Sequence, residues 1–230
     1  IPNLMLTLYK VTKFSKSEAI KFGWNTAKKN VKFFVILLIL VWVINLIPRF
    51  IGLPGATLMP KERFDVNYIP QIIGGGIFIF VGAIASWFLK TLVDIGLIKI
   101  ALKLHDNQKP KYSDLFSGMN VFWKYLGGSI LYGLITFAGF LLLIVPGIIW
   151  SIKFQYYSYL IIDKGLGPVE ALKQSSKITQ GVKWELLIFN LALIGILILG
   201  FLALFVGLFW AIPTNMLATA YVYRKLSQSS

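Results

Sequence analysis

Six side chains stand where an apolar sequence has least room for them. Lys90, Asp94, Lys153, Gln155, Thr214 and Asn215 all lie inside or at the edge of long hydrophobic runs. Lys90 and Asp94 are four apart, so on a helix they share a face. Asp94 lies ten residues before Leu104, Lys153 ten before Asp163 and Thr214 ten before Arg224. At helical rise that is a common depth of about 15 Å. A lysine at the centre of a bilayer costs about 2.5 kcal/mol or more, so such groups face inward, pair or snorkel. Together they would form a polar layer able to hold an anionic or amphiphilic ligand. The plainer reading is that Lys90 and Asp94 neutralise each other while Lys153 reaches outward along its stem.

Catalysis finds little support. The single histidine, His105, stands beside Asp106 in a polar stretch, and one His–Asp pair makes no metal site. No cysteine is present, which removes thiol chemistry, disulfides and thiolate ligands. The triple glycine Gly74–Gly76 lacks the Lys-Ser/Thr of a phosphate-binding loop and precedes an apolar run. Glu185 and Asp94 have no second carboxylate spaced to partner them. The expectation is a non-enzyme with no catalytic residue, metal or cofactor.

The elements that must position these groups follow from composition. Of 230 residues, 57% are hydrophobic and 14% charged, against about 25% charged in an ordinary soluble domain. This is the composition of a polytopic membrane protein. A crossing needs about 20 apolar residues. The runs Val31–Ile51, Gln71–Leu104, Val121–Ile144, Ile148–Ile162, Trp184–Leu204 and Gly207–Tyr223 predict six. Residues 53–68 read as a loop, Pro146–Gly147 as the tight turn of a second hairpin, and "LFVGLFW" as the turn of a third.

An internal echo organises the runs. Charged segments containing "SEAI", "SDLF" and "VEAL" precede the three hairpins. Ser15 with Glu18 fits a capping box, and Pro168 suits a first helical turn. The fold class expected is all-α: six transmembrane helices as three hairpins, each preceded by a cytoplasmic amphipathic helix. Within a single membrane domain, 1–230, these are a basic segment 1–30, hairpin 1 at 31–104, a surface helix and hairpin 2 at 112–163, and a surface helix and hairpin 3 at 168–226. In the last surface helix Glu170, Lys173, Ser175 and Lys177 are expected to meet headgroups or solvent.

Charge sets the orientation. Lys and Arg number 23 against 9 Asp and Glu. Residues 1–32 hold seven lysines, 99–124 five and 164–183 four, while the turns near Gly147 and Gly207 hold none. Basic loops are cytoplasmic, so both termini are expected inside a cell membrane crossed several times. Lysines at that face attract anionic headgroups at about 1 kcal/mol each. Membrane lipids are thus the expected partners, and the basic aromatic stretch 10–32 is read as interfacial, with no nucleic acid expected. Glycines in the spans permit close packing within a protomer or in a homo-oligomer.

The stretch "IVPGIIWSIKFQYYSYLIIDKGLGPVEALKQSSKITQG" resembles the signature region of a broad prokaryotic membrane family. That family includes YciC-like proteins and the membrane domain fused to some glycerophosphoryl diester phosphodiesterases. The resemblance rests on Pro146–Gly147, a basic residue at Lys153, Asp163, and Glu170, Ala171, Leu172 and Ser175 followed by Gly181. It spans roughly residues 85–225. It implies a helical membrane fold and no reaction, and the chain lacks the acidic and histidine set of a phosphodiesterase. Two functions follow as expectations. One is transport or handling of a lipid or small anionic amphiphile through the polar layer. The other is a membrane scaffold working through its cytoplasmic helices and by oligomerising.

Overall fold

The computed structural model describes residues 14–60, 66–203 and 206–228. The first thirteen residues of the expected basic segment, residues 61–65 of the expected loop, the first two residues of the "LFVGLFW" turn and residues 229–230 lie outside these. The described chain is helical, without strands: α1 Lys16–Lys29, α2 Val31–Leu58, α3 Ile69–His105, α4 Phe122–Leu142, α5 Ile144–Phe154, α6 Tyr157–Lys164, α7 Pro168–Ile178, α8 Lys183–Leu202 and α9 Leu208–Gln228. Among the described residues, four stretches are long and apolar enough to cross a membrane: α2, α3, Tyr112–Leu142 and α8.

Three hairpins are visible as packing, α2 on α3, α4 on α5 and α8 on α9. Near its tip each is drawn tight by facing glycines. A Cβ on Gly82 would lie 3.1 Å from Gly52 Cα, one on Gly139 would lie 2.9 Å from Gly147 Cα, and one on Gly200 would lie 3.0 Å from the Gly207 carbonyl carbon. The approach at Gly139 is closer than real Cβ atoms come, and those at Gly82 and Gly200 are tight enough that the facing backbone would have to give, so the missing side chains let the helices close.

Several expected boundaries move. The prolines do not end the first span, because α2 runs unbroken through Pro48 and Pro54 to Leu58. Pro48 and Pro54 free the carbonyls of Ile44 and Phe50, four residues back, and long apolar helices tolerate such prolines where neighbouring groups re-satisfy those carbonyls. The triple glycine does not interrupt α3. The second hairpin does not turn at Pro146–Gly147 but at Leu143, whose extended backbone (φ −168°, ψ 158°) separates α4 from α5. Pro146 falls in the first turn of α5, where its missing N–H would have had no helical partner. The expected fourth span is two helices, broken at Gln155–Tyr156.

The segment before each hairpin is one repeated device. The Glu18 N–H donates to Ser15 Oγ at 3.3 Å. Asp114 Oδ2 accepts from the Lys111 N–H at 2.8 Å, and Glu170 Oε2 accepts from the Gly167 N–H at 3.3 Å. The residue after each acid, Ala19, Leu115 or Ala171, is wholly buried. The second segment departs from the expectation, forming two short 3-10 turns, Tyr112–Phe116 and Met119–Val121, instead of an amphipathic α-helix.

These segments close the fold into a ring. Each packs on the returning helix of the preceding hairpin, and the first packs on that of the last. Thus α1 lies on α9, with Gly23 against the Thr214 carbonyl. The 112–121 segment lies on α3, with Leu115 against Gly96 and the Lys99 ammonium donating to the Ser117 carbonyl. In the third unit α7 lies on α5 and α6. Gly96, Lys153 and Thr214, the contact points, each stand ten residues before Asp106, Asp163 and Arg224 respectively.

Candidate functional site

The three residues at those equivalent positions meet. The Arg224 guanidinium donates to both oxygens of Asp106 (Nε 3.1 Å, Nη2 2.6 Å) and through Nη1 to Asp163 Oδ2 at 2.6 Å. The Tyr223 hydroxyl donates to Asp163 Oδ2 at 2.7 Å, and His105 Nδ1 stands 3.0 Å from Asp106 Oδ1. Arginine suits this place because its planar fork engages a carboxylate through two parallel bonds. Burial by itself would raise the Asp106 carboxyl, but the hydrogen bonds from His105 and Arg224 hold it below the usual carboxylate value. The clasp joins the ends of all three returning helices.

Ten residues up, α7 mends the break between α5 and α6. Ser175 Oγ donates to the Lys153 carbonyl at 3.1 Å and accepts from the Tyr156 N–H at 3.1 Å. Thr179 Oγ1 lies 3.0 Å from the same carbonyl. Both hydroxyl residues are wholly buried. Helix α7 runs from Pro168 and is followed by Gly181 at φ +84°, while Lys173 and Lys177 stay exposed. It is therefore no free surface helix, since its Ala171, Leu172, Ser175 and Ile178 face is buried among α4, α5 and α6.

The six residues of the expected polar layer separate into groups. Gln155 Oε1 accepts from Asn190 Nδ2 at 2.9 Å, and Asn215 Nδ2 donates to the Leu193 carbonyl at 2.8 Å. Asn190 and Leu193 are one turn apart on α8, so Gln155 and Asn215 share a seam along that helix. Gln155 Nε2, Asn215 Oδ1 and Thr214 Oγ1 are buried without a partner among the described residues. Lys90 is exposed and Asp94 half-buried, and no ion pair joins them among the described residues. The half-buried Lys153 ammonium lies 5.0 Å from the Phe154 ring centroid and makes no ion pair with Asp94. The meeting point of the returning helices is filled instead by Tyr156, Leu160, Ile161, Leu217 and Tyr223, all wholly buried.

Open space lies at the side. Among the described residues, a cleft lies between the returning helix of each hairpin and the leading helix of the next. That between α3 and α4 is about 470 Å³, lined by Ala85, Trp87, Phe88, Phe122 and Trp123 among others. That between α9 and α2 is about 700 Å³, lined by Trp42, Asn45, Phe209 and Ile212 among others. The third, between α5 and α8, is about 420 Å³ and is bounded by Val145, Ile148, Ile149, Ile152, Leu187, Gly181, Lys183 and Trp184. No cluster of three or more potential metal ligands occurs among the described residues.

Sequence reasoning used Asp163 and Arg224 only as depth markers, and it missed that they bond to each other. The available signal was their similar spacing from the second and third tips, 16 residues from Gly147 and 17 from Gly207, which puts opposite charges at the same level of neighbouring units. Asn190 and Thr179 had no such signal, since their partners are set by a helix break that composition does not announce.

Residues 128–230 match a family described as a protein of unknown function, DUF975. The match begins in α4 and takes in most of the second and third hairpins. An uncharacterized protein of Mycobacterium bovis is 25% identical over 226 residues, covering 93% of this chain and 69% of its own length. An uncharacterized protein of Mycobacterium tuberculosis strain CDC 1551 is similar to the same degree. The likeness is to proteins of unknown function, and these names carry no YciC-like or phosphodiesterase relation. No solved structure matches the chain.

Proposed function

We propose that the chain is a non-catalytic, multi-pass membrane protein that binds a lipid or similar amphiphile in a cleft open sideways to the bilayer. The observation that carries this reading is the cleft between α5 and α8, with a wall of four branched aliphatic residues and a lysine and tryptophan at one end. Its volume falls within the roughly 300–1,000 Å³ of small-molecule sites. The filled centre of the bundle favours this lateral route over passage through a polar core. In this reading the α5–α6 pair and α9 complete six crossings. They are less uniformly apolar than the others because they face the centre of the ring. The lysine-rich ends and both termini lie on the cytoplasmic side. A cysteine at Leu143 labelled only from the cytoplasm would break that topology.

The functional test fills the cleft. Ile149→Trp should weaken binding of a phosphatidylcholine to the purified full chain, followed by native mass spectrometry, by at least about fivefold. Ile198→Trp, on an exposed part of α8 outside the cleft, should leave binding unchanged. Equal binding by both variants sinks the lateral reading. A scaffold role through the cytoplasmic ring is favoured by the Arg224 clasp, and it would stand if no lipid dissociates more slowly from the protein than from the micelle.

A further inference from the structure

We infer that the cleft between α5 and α8 is selective for an anionic phospholipid, with its phosphate at Lys183 and an acyl chain along Ile152, Ile149, Ile148 and Val145. The inference rests on the lateral-cleft reading and names the ligand class for it.

The repeat supplies an internal control. All three clefts share one construction, a returning helix against the next leading helix, with a tryptophan on the leading side: Trp123, Trp42 or Trp184. The α3–α4 cleft is lined by apolar and aromatic side chains throughout. The α9–α2 cleft has one polar lining residue, Asn45, whose amide already donates to the Val41 carbonyl at 2.7 Å. Of the three, only the α5–α8 cleft has a charged side chain in its lining.

Lys183 is suited to a phosphate. It is half-buried and makes no ion pair among the described residues. It is the first residue of α8, whose N-terminus has no side-chain cap. The N–H groups of a helix start favour negative charge at that end, to which Glu185 in the first turn already contributes. Trp184 beside it is 75% exposed, the disposition of an interfacial anchor that is wet at one edge and apolar at the other. From that mouth Leu187 leads along α8 toward the hairpin tip, and Ile152 to Val145 lead the same way on α5. The cleft thus offers charge at one end and hydrocarbon at the other, in the order in which a phospholipid presents them.

The test compares phosphatidylglycerol with phosphatidylcholine of identical acyl chains, titrated onto the full chain in detergent and read by native mass spectrometry. One lysine at the headgroup level predicts about fivefold tighter phosphatidylglycerol binding. Lys183→Gln should remove that preference, Lys183→Arg should keep it, and Lys173→Gln, on the exposed face of α7, should leave it untouched. Ile149→Trp should lower both lipids together. A preference that survives Lys183→Gln, or its absence from the native protein, overturns the anionic assignment while leaving the lateral cleft standing. Loss of lipid binding from neither Ile149→Trp nor Lys183→Gln overturns both. Displacement of phosphatidylglycerol by millimolar inorganic phosphate would assign the site to a free anion and overturn the lipid.

Discussion

Helix α3 and the pair α5–α6 are returning arms of neighbouring hairpins, and each must receive the segment that begins the next unit. α3 stays whole for 37 residues and places Gly96 under the arriving backbone of Leu115. The second arm breaks after 11 residues, and the arriving helix supplies Ser175 and Thr179 to the opened carbonyl of Lys153. The contact points are in register, ten residues from Asp106 and Asp163. One arm accommodates its neighbour by lacking a side chain, the other by giving up its backbone ladder and sharing it. The first solution is apolar and intolerant of volume. The second places buried polar atoms in the interior, and so puts Gln155 and Tyr156 where an unbroken helix would not.

The largest effect is expected where both arms end. Arg224→Met leaves two carboxylates, each at most one-third exposed, without their cation. The loss should be about 2–4 kcal/mol of stability, seen as a large fall in the detergent melting temperature. Because one guanidinium serves both arms, Asp106→Asn and Asp163→Asn should each lose less than Arg224→Met does. A loss from one aspartate equal to that of Arg224→Met, with none from the other, would mean the clasp holds only one of them.

Next comes the unbroken arm. A Cβ at position 96 would press on the Leu115 backbone, which is not the end of a flexible chain. Gly96→Ala should therefore cost about 1–3 kcal/mol by overpacking. The broken arm should be more forgiving. Ser175→Ala leaves Thr179 to serve the Lys153 carbonyl and orphans chiefly the Tyr156 N–H, at about 1–2 kcal/mol. Adding Thr179→Val should more than double that loss, because the carbonyl then has no donor. Additive losses in the double variant would remove the sharing from the comparison.

How far the sequence reached differs along the same lines. The all-helical class, the long apolar runs and the three-unit echo were legible, because hydrophobic length and the recurring acid–apolar steps at Glu18, Asp114 and Glu170 are local signals. The boundaries at Pro54 and Pro146 were misplaced. A proline stops a helix only where nothing else serves the freed carbonyl, and that depends on neighbours. The break at Gln155–Tyr156 was hidden for the same reason, since its hydroxyl partners lie about twenty residues away in α7. Of the candidate site, Lys153, Gln155 and Asn215 were singled out by being polar in apolar runs. Lys183 was counted only as topology, because nothing in its own sequence says that α5 leaves a cleft beside it.

The seating of α1 on α9 has a consequence for the order in which the protein can be made. Gly23 and Thr214, which meet across that contact, are about 190 residues apart in the chain. At about 5–20 residues per second of synthesis, α1 emerges roughly 10–40 s before the surface that buries it exists. Throughout that interval its Ala19, Gly23 and Ala27 stripe is uncovered beside a row of lysines. The ring cannot close until α9 is released, so α1 must wait for an element made long after it. Loss of α9 would strand α1 as well.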